Sequence, residues 1–399
     1  MNILVINAGS TTLKYQLIDS DSEEVKAKGL CERIGAEGGM LKYDVISKGE
    51  KKEKQIDFPD HGVALKAVID VLIDPEDGAI SSLDEIGAVG HRVVHGGEYF
   101  SSSVKVDDDV IKKIEECSDL APLHNPANLL GIRACQKLMP NVPQCVTFDT
   151  AFHQTMPEKA YMYGIPYSYY EKYKIRRYGF HGTSHSYVSK EALKYLDKDV
   201  ADTKVIVCHL GGGSSITAVQ GGKSVDTSMG LTPLEGLVMA TRSGNIDPAI
   251  VQYIANKENK TVDEVLNILN KKSGMYGLSE KSGDARDIDA GVKAGDKKSI
   301  IAFNAFVHSA VKLVGSYVAS MNGVDLIAFT AGIGENDAAV RKAILENFGY
   351  LGISINDEVN NATHGKEAVI STDDSKVKVV VIPTNEELAI ARETLQLVR

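Results

Sequence analysis

Tryptophan is absent from the 399 residues, and cysteine is scarce at five. Cys31, Cys117, Cys135, Cys145 and Cys208 stand far apart, with no Cys-x-x-Cys pair. That spacing argues against a zinc knuckle, a thioredoxin-type motif and a disulfide framework. Positive charge is short too: 44 Lys and Arg face 54 Asp and Glu, a formal net charge of −10. Such a chain lacks the basic footprint of sequence-independent nucleic-acid binding. An anionic ligand must therefore be held by local positive groups. No run approaches the roughly 18 apolar residues that span a bilayer. The opening Asn2-Ile3-Leu4-Val5-Ile6-Asn7 has no basic region before an apolar stretch, so it does not read as a signal peptide. The expectation is a cytoplasmic protein of about two domains.

Short β-rich runs alternate with helical patterns, which favours an α/β architecture. Ile3–Ile6 and Leu13–Ile18 read as strands around the turn Asn7–Thr12, and a charged turn is expected at Lys48–Lys52. Ala88–Val94 reads as a strand, Asn128–Leu138 as a helix, and Gln144–Phe148 as a buried strand ending at Asp149. The pattern then restarts. Lys204–His209 is a strand running into Gly211-Gly212-Gly213-Ser214-Ser215, and Ile216–Val219 runs back out. Ile300–Met321 reads as a long helix, Leu326–Thr330 and Val377–Ile382 as strands, and Glu386–Leu397 as a closing helix. The two strand–Gly/Ser-turn–strand openings suggest two domains on one plan.

Three Gly-rich turns follow strands: Asn7–Thr12, Gly211–Ser215 and Gly332–Asn336. Glycine lets backbone approach a ligand closely, and consecutive N–H groups can cradle phosphate oxygens. Lys14 stands close behind the first. Neither standard nucleotide fingerprint is present. Gly222-Lys223-Ser224 has Thr217 where a P-loop needs glycine, and Gly332-x-Gly334 has Asp337 where a dinucleotide motif needs its third glycine. Basic and imidazole groups lie beside glycine at Gly90–Gly97, with Arg92 on the strand face opposite His91. They recur at Tyr178–His185, Thr241–Gly244 and Gly283–Asp287. Arginine suits a bidentate grip on carboxylate or phosphate, although a surface ion pair explains any single one. His181 and His185 lack the Glu of a zinc-protease helix and a matching third ligand. At Pro383–Glu387, Thr384 could cap the last helix with Glu387 in a capping box.

Assembled in order, these strings closely resemble the acetokinase family. They are Asn7–Ser10, Gly90–Gly97, Tyr178–His185, Thr232–Gly236 with Thr241–Gly244, Thr330–Asn336 and Pro383–Leu388. The resemblance implies two duplicated ribonuclease-H-like domains of the actin-like ATPase superfamily, with ATP in the cleft between them. It implies an N-terminal domain of residues 1–150 plus 385–399, a nucleotide-binding domain of 151–384, and a homodimer. The implied reaction is Mg²⁺-dependent phosphoryl transfer from ATP to acetate, with Mn²⁺ an alternative metal. Asn7 and Glu386 resemble the metal-site residues, and Lys14 a phosphate contact. Arg92 resembles the acetate-binding arginine, Arg242 and His181 the groups stabilising the transferring phosphoryl, and Asp149 the catalytic aspartate. Val94, Leu123, Phe180 and Pro233 match the pocket for the acetate methyl. The nucleotide segments correspond to His209, Leu210, Gly211, Gly212 and Gly213, to Asp284, Ala285 and Arg286, and to Gly332, Ile333, Gly334, Glu335 and Asn336. The chain departs from the family at Gly212, where the usual string has Asn, and at Asn245, where Asp is usual. The rival readings are a propionate or butyrate kinase and an actin-like, nucleotide-gated binding protein.

Overall fold

The computed structural model describes residues 1–399. They form two compact units, Met1–Gln154 with Asn385–Arg399, and Thr155–Thr384. The first unit carries β1 (Asn2–Ala8), β2 (Thr12–Asp19), β3 (Val25–Glu32), β4 (Met40–Val45), β5 (Glu50–Gln55), β6 (Ile86–Val93), β7 (Val104–Lys105) and β8 (Gln144–Phe148). Their order in the sheet is β5-β4-β3-β2-β1-β6-β8-β7. β1 to β5 form an antiparallel meander, whereas β6 runs parallel to β1, and β8 parallel to β6. The alternation in β2 buries Leu13, Tyr15 and Leu17 and leaves Lys14 exposed. Helices His61–Leu72 and Asn125–Leu138 cover one face, and Glu386–Val398 packs Ile390 and Ala391 on Ile3, Val5 and Ala88 of the other.

The second unit carries β9 (Lys204–Leu210), β10 (Ser214–Gln220), β11 (Lys223–Thr227), β12 (Leu326–Thr330), β13 (Ala368–Val369) and β14 (Lys378–Val381), ordered β11-β10-β9-β12-β14-β13. Its plan repeats the first. A lead strand has an antiparallel hairpin partner on one side and a parallel partner on the other. A second parallel strand and an antiparallel edge strand follow. The duplicated α/β architecture expected from the two Gly/Ser openings is therefore present. The buried runs of β9 and β12 are apolar on both faces, as strands covered by helices must be.

Four local expectations need correction. The cap of the last helix is Asn385, whose side chain accepts from Leu388 N–H; Thr384 instead bonds Ser184. Gly332–Asn336 lies inside a short helix, Ala331–Asn336, so it is not an open turn. Glu50–Lys52 belongs to β5, because the chain already reverses at Ile46–Lys48 with Gly49 left-handed. One helix, Lys297–Ser320, does have the length and hydropathy to cross a membrane. Its stripe of Ala302, Phe306, Ala310, Val314 and Tyr317 lies in the core of the second unit, as in a core helix.

Candidate active site

In open α/β sheets, ligands gather outside the carboxyl ends of the parallel strands. In the first unit those ends supply Asn7 from β1, Arg92 from β6 and Asp149 just past β8. Asp149 is buried and grips Arg92 with both oxygens, Nε donating to Oδ1 at 2.9 Å and Nη2 to Oδ2 at 2.6 Å. Arg92 Nη1 reaches Asn7 Oδ1 at 3.5 Å, and Glu386 Oε2 lies 4.0 Å from its Nε. Burial pulls the Arg92 pKa down, but the Asp149 charge outweighs it and holds the guanidinium above its ordinary range. Glu386 is pushed up to about 7, first by burial and then by the charges of Asp149 and Glu387, against Arg92 and Lys14. Lys14 stands opposite Asn7 in the β1–β2 register. His91 faces away to Gln144 and is lowered to about 4 by burial, so it is a neutral structural group.

Val94 lies just beyond β6, where the ladder ends. The N–H groups of Val94, His95, Gly96 and Gly97 go instead to Asn128 Oδ1, Asn125 Oδ1, Thr150 Oγ1 and His95 Nδ1, at 3.0–3.1 Å. Asn128 also donates to Ala8 O at 2.6 Å, which ties the Asn7 strand end to Val94. Val94 is buried, while Leu123 is 70% exposed in the turn before Asn125–Leu138.

In the second unit, His181 has left-handed backbone (φ 55°) at the N-cap of helix Gly182–Ala192. Such a conformation is costly for a residue with a β-carbon and concentrates at functional sites. Its Nδ1 is 2.9 Å from Ser215 Oγ, and its ring stacks on His209 with centroids 4.1 Å apart. His209 Nδ1 bonds Ser184 Oγ at 2.8 Å. Arg242 donates from Nη1 to Pro233 O at 3.3 Å, and burial draws its pKa down with no carboxylate to offset it. Gly213 explains how the two groups meet. A β-carbon on Gly213 would lie 3.3 Å from Arg242 Nη1 and 3.5 Å from His181 Nε2. A guanidinium donor and an imidazole nitrogen thus meet over the bare face of Gly213, a cradle suited to an anion. Phe180, next to His181, is buried.

A cavity of about 930 Å³ opens in the same unit. Gly211, Gly212, Asp284, Ala285, Arg286, Gly332, Ile333 and Asn336 all line it. Asp284 caps helix Ala285–Lys293, and its carboxylate also holds Arg286, whose side chain is 90% exposed. His209 and Leu210 are buried behind the turn. Glu335 points inward, where its carboxylate accepts from Ala331 N–H and Thr384 N–H. The Gly334 carbonyl accepts from Arg341, a fully buried guanidinium that also binds Asn360 and the Thr363 carbonyl. Arg341 thereby fixes both the Gly332–Asn336 wall and the chain leading to Asn361 and His364, which also line the cavity. Sequence reasoning missed Asn128, Arg341, Asn361 and His364, since none lies in a motif. Ser215 was legible only as part of a Gly/Ser turn.

The acetokinase family model matches residues 2–392. The chain is 62% identical over 399 residues to the acetate kinase of Agathobacter rectalis, covering all of both chains. It is 59% identical over 398 residues to that of Lachnoclostridium phytofermentans, again with full coverage. Among solved structures, it is similar to Porphyromonas gingivalis acetate kinase (TM-score 0.97, 44% identity, all of both chains). It is also similar to a propionate kinase from Francisella tularensis (TM-score 0.91, 44% identity, 99% of both chains). With full-length identity at this level, and with basic and imidazole groups gathered beside Gly-rich strand ends, the chain belongs to the acetokinase family.

Proposed function

We propose that this enzyme transfers the γ-phosphoryl group of ATP reversibly to acetate, giving acetyl phosphate and ADP. A carboxylate oxygen of acetate forms the new bond to phosphorus as the bond to the bridging oxygen of ADP breaks. Acetate is already ionised at neutral pH, so no base is needed to activate it. The obstacle is the approach of one anion to another, and catalysis is chiefly positioning and charge stabilisation. The observation that carries the reading is the convergence of Arg242 Nη1 and His181 Nε2 on the bare face of Gly213. Two donors there suit the equatorial oxygens of a phosphoryl group in flight.

The 930 Å³ cavity is assigned to the nucleotide, and its size suits a ligand of that class. Arg92 is assigned to the acetate carboxylate. Asp149, already spent on Arg92, serves by aiming that guanidinium. Asn7 and Glu386 offer two hard oxygen donors, which suits a Mg²⁺ ion that fills its other positions with water and phosphate. Burial is the main cause of the raised Glu386 pKa, and a bound cation would offset it by favouring the ionised carboxylate. When bound, Mg²⁺ would neutralise phosphate charge. The same reading makes the enzyme a cytoplasmic homodimer that engages neither nucleic acid nor membrane.

The test is trapping of acyl phosphate as hydroxamate with MgATP and acetate, propionate or butyrate in parallel. Acetate should give the highest kcat/KM. A higher value for propionate would move the enzyme to the specificity named for its Francisella relative. No acyl phosphate from any of the three would overturn the proposal.

A further inference from the structure

We infer that Ser215 and His185 are positioning residues that fix the proton of His181 on Nε2, the nitrogen facing the Gly213 cradle. The inference rests on the phosphoryl role given to His181 above.

Ser215 is fully buried on β10, directly across from His209 of β9. Its Oγ lies 2.9 Å from His181 Nδ1 and 2.7 Å from His185 Nε2. A hydroxyl has one hydrogen, so it cannot donate to both rings. If His185 Nε2–H donates to Ser215, the hydroxyl is free to donate to His181 Nδ1. A neutral His181 then carries its hydrogen on Nε2. If His181 Nδ1–H donates to Ser215 instead, Nε2 is a bare lone pair unless the ring is a cation.

Two features decide between these arrangements. Nε2 faces the point it shares with Arg242 Nη1, where a lone pair would repel a phosphoryl oxygen. An imidazolium is disfavoured in that place as well. His181 caps an eleven-residue helix, where the macrodipole is positive, and the Arg242 charge is close. The arrangement that satisfies both runs from His185 through Ser215 to His181. It gives a neutral donor aimed at the cradle, with no proton exchanged in the reaction. Ser215 and His185 touch no substrate in this scheme and act only through His181.

The test uses full-length protein labelled with ¹⁵N-histidine, with the His181 signals assigned by their loss in His181→Gln. The expected spectrum has His181 as the single Nε2–H tautomer. Ser215→Ala should lose that single tautomer and lower kcat at least tenfold, with both substrate KM values within about threefold. His185→Leu should do the same. His185→Gln can still donate to Ser215 and should restore both the tautomer and most of the turnover, which lost packing alone does not predict. An Nδ1–H tautomer or an imidazolium in the unaltered enzyme overturns the inference, whether or not the variants fold. So does Ser215→Ala with unchanged tautomer and kcat. Full turnover in His181→Gln, with the tautomer as expected, would instead overturn the phosphoryl role of His181.

Discussion

Asp149 holds Arg92 in a two-pronged grip, Nε to Oδ1 and Nη2 to Oδ2, at 2.9 and 2.6 Å. The carboxylate is 2% exposed and both its oxygens are occupied. That pairing suits it to aim the arginine. Asp149→Asn keeps the shape but loses the charge-assisted pair, leaving a half-buried guanidinium under-compensated. The expected result is a fall in kcat/KM for acetate of about a hundredfold or more, on the scale of about 3 kcal/mol. The pH profile of the residual activity should keep its shape between about pH 6 and 8. Disappearance of an acidic limb from that profile would instead mark Asp149 as a base.

Gly213→Ala would place a methyl group against both Arg242 Nη1 and His181 Nε2. Contacts of 3.3–3.5 Å require only small shifts, so the melting temperature should change by a few degrees at most. The methyl nevertheless fills the cradle. Turnover should fall by about a hundredfold, with the KM for ATP much less affected, since losing one preorganised donor costs about 3 kcal/mol. Retained turnover would show that the phosphoryl group passes elsewhere.

Gly212→Asn should act in the opposite direction. No atom stands within 4 Å of the position its β-carbon would take, and Gly212 lines the large cavity. An amide there can add one hydrogen bond to the nucleotide, a gain of about 1 kcal/mol. The KM for ATP should fall about fivefold with stability unchanged. Isothermal titration with ADP would check the gain directly.

Val94→Ala tests the pocket for the acid. Removing two methyl groups from this buried side chain should make room at the position expected for the acetate methyl. Relative kcat/KM should shift about tenfold toward propionate, on the scale of about 1–3 kcal/mol for a methylene. The KM for ATP should hold. Equal losses on both acids would remove Val94 from the pocket.

Glu386 makes stability depend on pH. Its folded pKa, about 7, stands above its ordinary 4.5. The protonated form is therefore favoured by folding. The stability it brings is full below about pH 4.5 and is lost as pH rises through 7. In metal-free protein, Glu386→Gln should melt higher than the parent at pH 8, and the difference should shrink toward pH 5. With 23% of the side chain exposed, the gain at pH 8 is expected to be about 1–3 kcal/mol. Calorimetry at the two pH values checks it. An equal effect at both would refer the change to packing.

The local pieces could be read from the order of residues alone. Apolar runs such as Ile3–Ile6 and Leu326–Thr330 read as strands because burial of both faces leaves no other pattern. Arg92, His181 and Arg242 were legible because each sits in a short string of glycine and polar residues, where backbone conformation and chemistry are both local, and Asp149 because it stands where an apolar strand run ends. Tertiary structure alone decided how those groups are held. Asp149 is 57 residues from Arg92, and Ser215 is 34 from His181. Asn128 is 120 residues from the Ala8 carbonyl it binds. A hydrogen bond carries no mark of its partner along the chain, since a serine or asparagine reads alike in a turn, a cap or a clamp. Which it becomes depends on what the strand order brings within 3 Å. The bare face of Gly213 acquires its meaning the same way, from the Arg242 and His181 atoms that folding places on either side of it.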